Sequence, residues 1–261
     1  MLPNCSNQMA FSINFHGTLQ KRENMQLTVR NVAKFLSVSE QALYRMIERG
    51  EIPATKVHDQ FHFNRTELLE WAMARRMHVS PNLLDEEEIE GATADPQLSA
   101  ALRQGGIFYG LASGDKSIAL RAMVSVLRLP DDVDRELLFR MHLARETLAS
   151  TGVGDGIAIP HVRNPVVLQV DVPMVTLCFL KTPVDFGAVD EKPVFALFSL
   201  VTPTIRSHLF LLSRLALTLR NHGLLELLRS QASEDRIMAE IERSENASAS
   251  DPGTNRQEGD R

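Results

Sequence analysis

Ser150-Thr151-Gly152-Val153-Gly154-Asp155-Gly156-Ile157-Ala158-Ile159-Pro160-His161 is the stretch of this chain best suited to chemistry. Glycines at three alternate positions let the backbone turn tightly and present its N–H groups at close range. Ile157 to Ile159 reads as a short strand entering a core, and Pro160 stops it. His161 is therefore expected at a strand end, reachable from solvent and beside a pool of amide donors, an arrangement suited to carrying negative charge on an imidazole. No Gly-Lys-Ser/Thr follows the glycines, which argues against a nucleotide phosphate loop. His58 and His62 are four apart, but on a strand–turn–strand with no third ligand nearby, so no metal site is expected.

The segment Thr151 to His161 resembles the phosphorylation-site motif of the mannitol/fructose-type (type 2) enzyme IIA domains of the bacterial phosphotransferase system, in particular their nitrogen-related regulatory branch. The similarity of pattern extends from about Gln97 to Glu245. It implies that His161 accepts a phosphoryl group from a phosphohistidine carrier protein, a transfer for which no cofactor is expected. It also points to Arg145, sixteen residues before His161 in an Arg-Glu pair, as a cation for the phosphoryl group. A guanidinium never loses its charge and matches phosphate oxygens in a bidentate way. By the same resemblance His208, opening a helix in Ser207-His208-Leu209, is a second active-site histidine that donates to the phosphoryl oxygens or orients His161. Thr151, Gly154 and Gly156 are expected to support the phosphate. The family pattern usually reads Asn at Asp155 and Gly at Val162. Asp155 is expected to repel an arriving dianion, and Val162 to narrow the carrier's approach. His142 and His222 have no motif around them and read as surface groups.

These groups need a scaffold, and 261 residues with 44% hydrophobic and 23% charged content are enough for two soluble units. Helical patterns at Leu98–Leu102, Ser117–Leu127, Asp131–Arg145, Ser207–Leu219, Gly223–Arg229 and Glu234–Ile241 interleave with strand signals at Gly105–Gly110, Val166–Leu180 and Val194–Val201. The expected fold is α/β, a mixed sheet sandwiched by helices over 97–245.

Ahead of it, Thr28 caps one helix, Ser39 a second that ends at Arg49-Gly50, and Asn64 a third over Arg65–Arg76. Two short strands within Ile52–Val57 and Phe61–Phe63 lie between the last two helices. This 25–77 unit resembles the excisionase/MerR-type winged helix-turn-helix module, on Leu27 to Leu36, Val38-Ser39, Ala42 to Ile47 and Gly50 to Ala54. The resemblance implies that DNA meets Ser39, Gln41, Tyr44 and Arg45 on the second helix and Lys56 on the wing. Phe61-His62-Phe63 stands where the family ends its wing in Trp-Arg-Phe, so a permanent cation has become a mostly neutral histidine. Met25 to Arg76 carries eight Lys or Arg against six Asp or Glu, too small an excess for tight non-specific binding.

Between the units, 78–96 reads as an acidic tether, Asp85 to Glu90 above all, which competes with DNA for the basic face or simply spaces the units. About 20 flexible residues span on the order of 25 Å, so the units can touch or separate. Residues 1–24, without periodicity, and 246–261 read as disordered, the former as a start-codon artefact if not translated. Cys5 and Cys178 suggest no disulfide framework, consistent with a cytoplasmic location. No run approaches the roughly 18–20 apolar residues of a membrane span. The reading is thus a cytoplasmic bacterial regulator in which phosphorylation of His161 is coupled to DNA binding. Competing with it are a transcription factor whose second unit is a non-phosphorylated sensor or dimerisation platform, and a protein-interaction scaffold without DNA contact. A homodimer is left open.

Overall fold

The structure is a computed structural model that describes residues 26–57, 60–75, 77, 95–131, 133–162 and 170–249. The acidic stretch Asp85–Glu90, the wing turn at His58 and Asp59, and Val166 and Val167 lie outside these.

The first unit opens with strand β1 (Gln26–Thr28), whose last residue caps helix α1 (Val29–Phe35): the Thr28 hydroxyl oxygen accepts from the Asn31 N–H. Ser39 accepts from the Ala42 N–H at the start of α2 (Glu40–Glu48), and Asn64 from Thr66 and Glu67 at the start of α3 (Arg65–Ala74). These caps answer amide donors that a helix start otherwise leaves unpaired. Strands β2 (Thr55–Val57) and β3 (Gln60–Asn64) complete an antiparallel three-stranded sheet with β3 in the centre. Trp71 faces back across the unit, its indole N–H donating to the Glu51 carbonyl at 2.6 Å.

The second unit runs α4 (Leu98–Gly105), β4 (Ile107–Leu111), α5 (Lys116–Val126), α6 (Arg135–Leu148), β5 (Gly152–Gly154), β6 (Ile157–Ala158), β7 (Met174–Val184), β8 (Val194–Val201), α7 (Ile205–Thr218), α8 (His222–Arg229) and α9 (Glu234–Ala249). Its five strands lie in the order β4-β7-β8-β6-β5, a mixed sheet in which β4/β7 and β6/β8 run parallel and the other pairs antiparallel. Alternation along β8 assigns the faces. Ala196, Phe198 and Leu200 join a core with Leu212 and Leu215 of α7, while Leu197 and Val201 join Leu120, Met123 and Phe139 of α5 and α6. The sheet is thus covered on both sides, as its continuous apolar runs require. The first of these cores continues into Leu68, Leu69 and Met73 of α3, so the two units share buried apolar contact.

Three elements depart from the sequence expectations. Helix α9 continues through Ala249, past Glu245 and into the stretch read as disordered. Strand β7 begins only at Met174, with Val172 exposed before it. In α6 it is His142, Arg145 and Glu146 that are buried beside Leu138 and Phe139, while Leu137 faces solvent.

The Gly-Asp-Gly turn between β5 and β6 has φ of +88°, +56° and +77° at Gly154, Asp155 and Gly156. Such values strain L side chains, Asp and Asn least. A Cβ at Gly156 would also stand 2.5 Å from the Phe195 ring. Gly156→Ala is therefore expected to lower stability by about 2 kcal/mol or more, read as a lower denaturant midpoint with an unchanged m-value.

Candidate functional site

His161 sits just past β6, where an isolated parallel bridge to Leu200 of β8 holds it in line after Pro160. Its Nδ1–H donates to the Ile159 carbonyl at 2.7 Å. A carbonyl only accepts, so this contact keeps a proton on Nδ1 and leaves Nε2 for the other side of the ring. Nε2 does not face solvent. It lies 2.6 Å from Oε1 of Glu70, a residue of α3 in the first unit. A carboxylate has no hydrogen of its own to offer, so a proton lies between Nε2 and Oε1.

The other carboxylate oxygen, Oε2, accepts from Nη2 of Arg145, whose Nη1 donates to the Ala149 carbonyl at 2.7 Å. Glu70 thus bridges the imidazole and the guanidinium. All three groups are withdrawn from water: His161 is 2% and Arg145 4% exposed, and the Glu70 side chain 15%. The expectation that His161 is reachable from solvent is corrected here, and the physical reason is the α3 side chain laid over it.

His208, on the first turn of α7, is the second ring: its centroid is 5.1 Å from that of His161. It is buried, and burial, followed by the nearby His161, pushes its pKa down to about 3, with Glu70 opposing. The sequence reading treats His142 as a surface group, and the structure overturns this. His142 lies on α6 three residues before Arg145, is 2% exposed, and is pushed down to about 3 by burial first and by His161 second. Neither ring nitrogen of His142 or His208 has a hydrogen-bond partner among the described residues. Both rings are therefore neutral at pH 7 and in reserve as uncharged donors.

The supporting residues divide. The Thr151 hydroxyl donates to Glu146 at 2.5 Å and its N–H to the same oxygen at 3.0 Å, with Lys116 Nζ 3.5 Å from the other. Thr151 thereby locks the loop ahead of the motif. It lines the small cavity at His161 with Glu70, Arg145, Gly152 and Leu212, whereas Gly154 and Gly156 do not. Those two glycines shape the β5–β6 turn. Asp155 pairs with Lys192 at 3.3 Å and Arg229 at 3.1 Å, so its charge is met by two cations instead of confronting His161 unscreened. Val162 points inward, 2% exposed in the core with Val170 and Met174, and does not narrow any approach. His222 is exposed.

On the first unit, Ser39, Gln41, Tyr44 and Arg45 are exposed along α2, and Lys56 is exposed on β2. The Tyr44 ring meets Phe61 edge-on at 6.3 Å, which steadies it against the wing. Glu70 is the residue that sequence reasoning missed. Its one signal is a second spacing in the sequence, Glu70, Met73 and Ala74 (i, i+3, i+4) on α3 with Met77 (i+7) beyond its end, beside the stripe that fills its own unit.

Because His142 titrates near 6.5 when unfolded and near 3 when folded, the unfolded chain binds the extra proton between those values. Stability from this residue is complete above pH 6.5 and falls as pH drops toward 3. At pH 5 the loss is about 2 kcal/mol. His142→Gln is expected to flatten the pH dependence of the denaturant midpoint between pH 7 and 5 by about that amount.

Comparison with known proteins agrees with this architecture. Residues 101–244 match the family model for the phosphoenolpyruvate-dependent sugar phosphotransferase system, EIIA 2, and residues 27–76 match a helix-turn-helix domain. The nitrogen regulatory protein of Pseudomonas aeruginosa is 33% identical over 144 residues, 54% of this chain and 92% of the relative. That of Klebsiella oxytoca is 32% identical over 145 residues, 54% of this chain and 87% of the relative. A crystal structure of the nitrogen regulatory protein IIA-Ntr from Neisseria meningitidis, 30% identical, covers 52% of this chain and 92% of that one at a TM-score of 0.46. With a match over more than half of its length, the chain belongs to the phosphotransferase system EIIA 2 family and carries a helix-turn-helix domain ahead of the EIIA unit.

Proposed function

We propose that the chain is a regulatory phosphoacceptor of the bacterial cytoplasm, in which His161 receives a phosphoryl group from a phosphohistidine carrier and the helix-turn-helix unit binds DNA. The observation that carries this reading is the orientation of the His161 ring: Nδ1 is committed to the Ile159 carbonyl, so the nitrogen turned toward Arg145 and Glu70 is Nε2.

In the transfer, the Nε2 lone pair attacks the phosphorus of the carrier's phosphohistidine. The old N–P bond breaks with its electron pair left on the carrier ring. Before the attack Nε2 gives up to solvent the proton it shares with Glu70; each ring then keeps the proton on its other nitrogen through the transfer. Arg145 supplies the fixed cation for the arriving oxygens. His208, neutral and dry beside the His161 ring, would donate a ring N–H to them without adding charge. Thr151 holds the loop through Glu146. No helix among the described residues is long and apolar enough to cross a membrane, and the chain is proposed to act on regulation instead of sugar uptake. DNA would meet Ser39, Gln41, Tyr44, Arg45 and Lys56.

The burial of Nε2 favours one competing reading, in which the EIIA-like unit is a non-phosphorylated platform for protein contact. Incubation with a phosphorylated carrier separates the two. The native chain is expected to take up acid-labile label and His161→Ala none; a native chain that stays unlabelled after prolonged incubation would leave the platform reading. For the other unit, duplex DNA is expected to bind at low salt. Arg45→Ala should weaken this and reduce the slope of log affinity against log salt by about 1 if Arg45 neutralises a phosphate.

A further inference from the structure

Glu70 belongs to the helix-turn-helix unit, 75 residues from Arg145 and 91 from His161 in sequence, yet it is the group in contact with both. Its carboxylate has one oxygen on Nε2 and the other on the guanidinium, which is where two oxygens of a phosphoryl group on Nε2 would have to lie. Apolar side chains of both units flank it: Met73 and Ala74 of α3 border the same small cavity as Val153, Ile159 and Leu212. The space left there is about 20 Å³, room for about one water and too little for a phosphoryl group.

We infer that the His161 face is the docking surface for helix α3 of the same chain, anchored by Glu70 in the phosphoryl position, so that docking of the helix-turn-helix unit and phosphorylation of His161 exclude one another. This rests on His161 being the phosphoacceptor. Three consequences follow from the contacts. The proton between Nε2 and Glu70 must leave before the lone pair is available. The carrier can reach Nε2 only when α3 has moved away. Once the N–P bond forms, about two negative charges stand where Glu70 stood, and Arg145 turns from the carboxylate to the phosphoryl oxygens. Phosphorylation would thus release α3, and with it the unit that bears the DNA-facing residues.

The test uses the full chain, with Glu70→Ala and the near-isosteric Glu70→Gln beside it. Carbethoxylation by diethyl pyrocarbonate, mapped by mass spectrometry, reads whether an imidazole is reachable. Exposed His222 is the internal reference. His161 is expected to react about tenfold or more faster, relative to His222, in Glu70→Ala, and to shift in the same direction in Glu70→Gln, as the loss of a charge-assisted bond implies. Transfer of label from the carrier should accelerate in parallel. In the phosphorylated native chain, amide exchange over Arg65–Ala74 should speed up. Equal His161 reactivity in native and variant chains of unchanged circular dichroism would overturn the docking, and exchange over α3 that ignores phosphorylation would overturn the exclusion. If reactivity rises but no chain takes up label, the docking stands and the phosphoacceptor reading falls. Should Glu70→Ala fail to fold, Glu70→Gln gives the same comparison with the side-chain volume kept.

Discussion

Arg145 is a permanent cation with only 4% of its side chain exposed, and a buried charge without a counter-charge costs several kcal/mol. Some anion must therefore always stand beside it. Glu70 fills that role here, and because its second oxygen reaches Nε2 of His161, the same carboxylate decides whether the imidazole is available. The requirement sets the layout of the second unit. Helix α6 has to end where Arg145 can turn back to the Ala149 carbonyl, and the loop that follows has to be held by Thr151 and Glu146. Strand β6 then delivers His161 against β8 in register with Leu200.

The same constraint explains why the neighbouring rings are kept dry. A carboxylate and a dianion about 4 Å apart would repel by roughly 4 kcal/mol per pair of charges at an effective dielectric near 20, so the site holds one or the other. Charged histidines would blur that choice by neutralising either anion. Burial removes this freedom: His142 and His208 are both driven down to about 3. Arg145 remains the one fixed positive charge among these groups. In the proposed function, a phosphoryl group on Nε2 would then compete with Glu70 for a single guanidinium.

What could be read from the sequence was what is local. Thr28, Ser39 and Asn64 each cap the helix they precede, since a cap involves only the next three residues. The apolar runs of β7 and β8 and the turn glycines were legible for the same reason. The positive φ at Asp155 accounts for a residue read only as a threat to an incoming phosphate: the turn needs a side chain that tolerates this conformation, and Lys192 and Arg229 answer its charge. In α6 the apolar residues alone do not mark the buried face. Leu138, Phe139, His142, Arg145 and Glu146 form one buried stripe at helical spacing, and three of them are ionisable. Glu70 was out of reach because nothing near it in sequence hints at Arg145 or His161. Its partners come from a pairing between units that only the packed chain creates.

The choice of helix matters for how the two units communicate. It is α3 that docks, while α2, with Ser39, Gln41, Tyr44 and Arg45, stays exposed. An anion at His161 and a DNA duplex would therefore not contend for the same side chains. Any influence of one on the other has to pass through the position of the whole unit, which Leu68, Leu69 and Met73 hold against the second unit through shared apolar contact. Linkage then runs both ways: whatever factor phosphorylation takes from the docking equilibrium, docking takes from the equilibrium affinity of His161 for phosphate. A ligand that binds the undocked chain more tightly would raise the phosphorylated fraction by that same route. The barrier to charging His161 is thus a property of the helix-turn-helix unit as much as of the unit that carries the histidine.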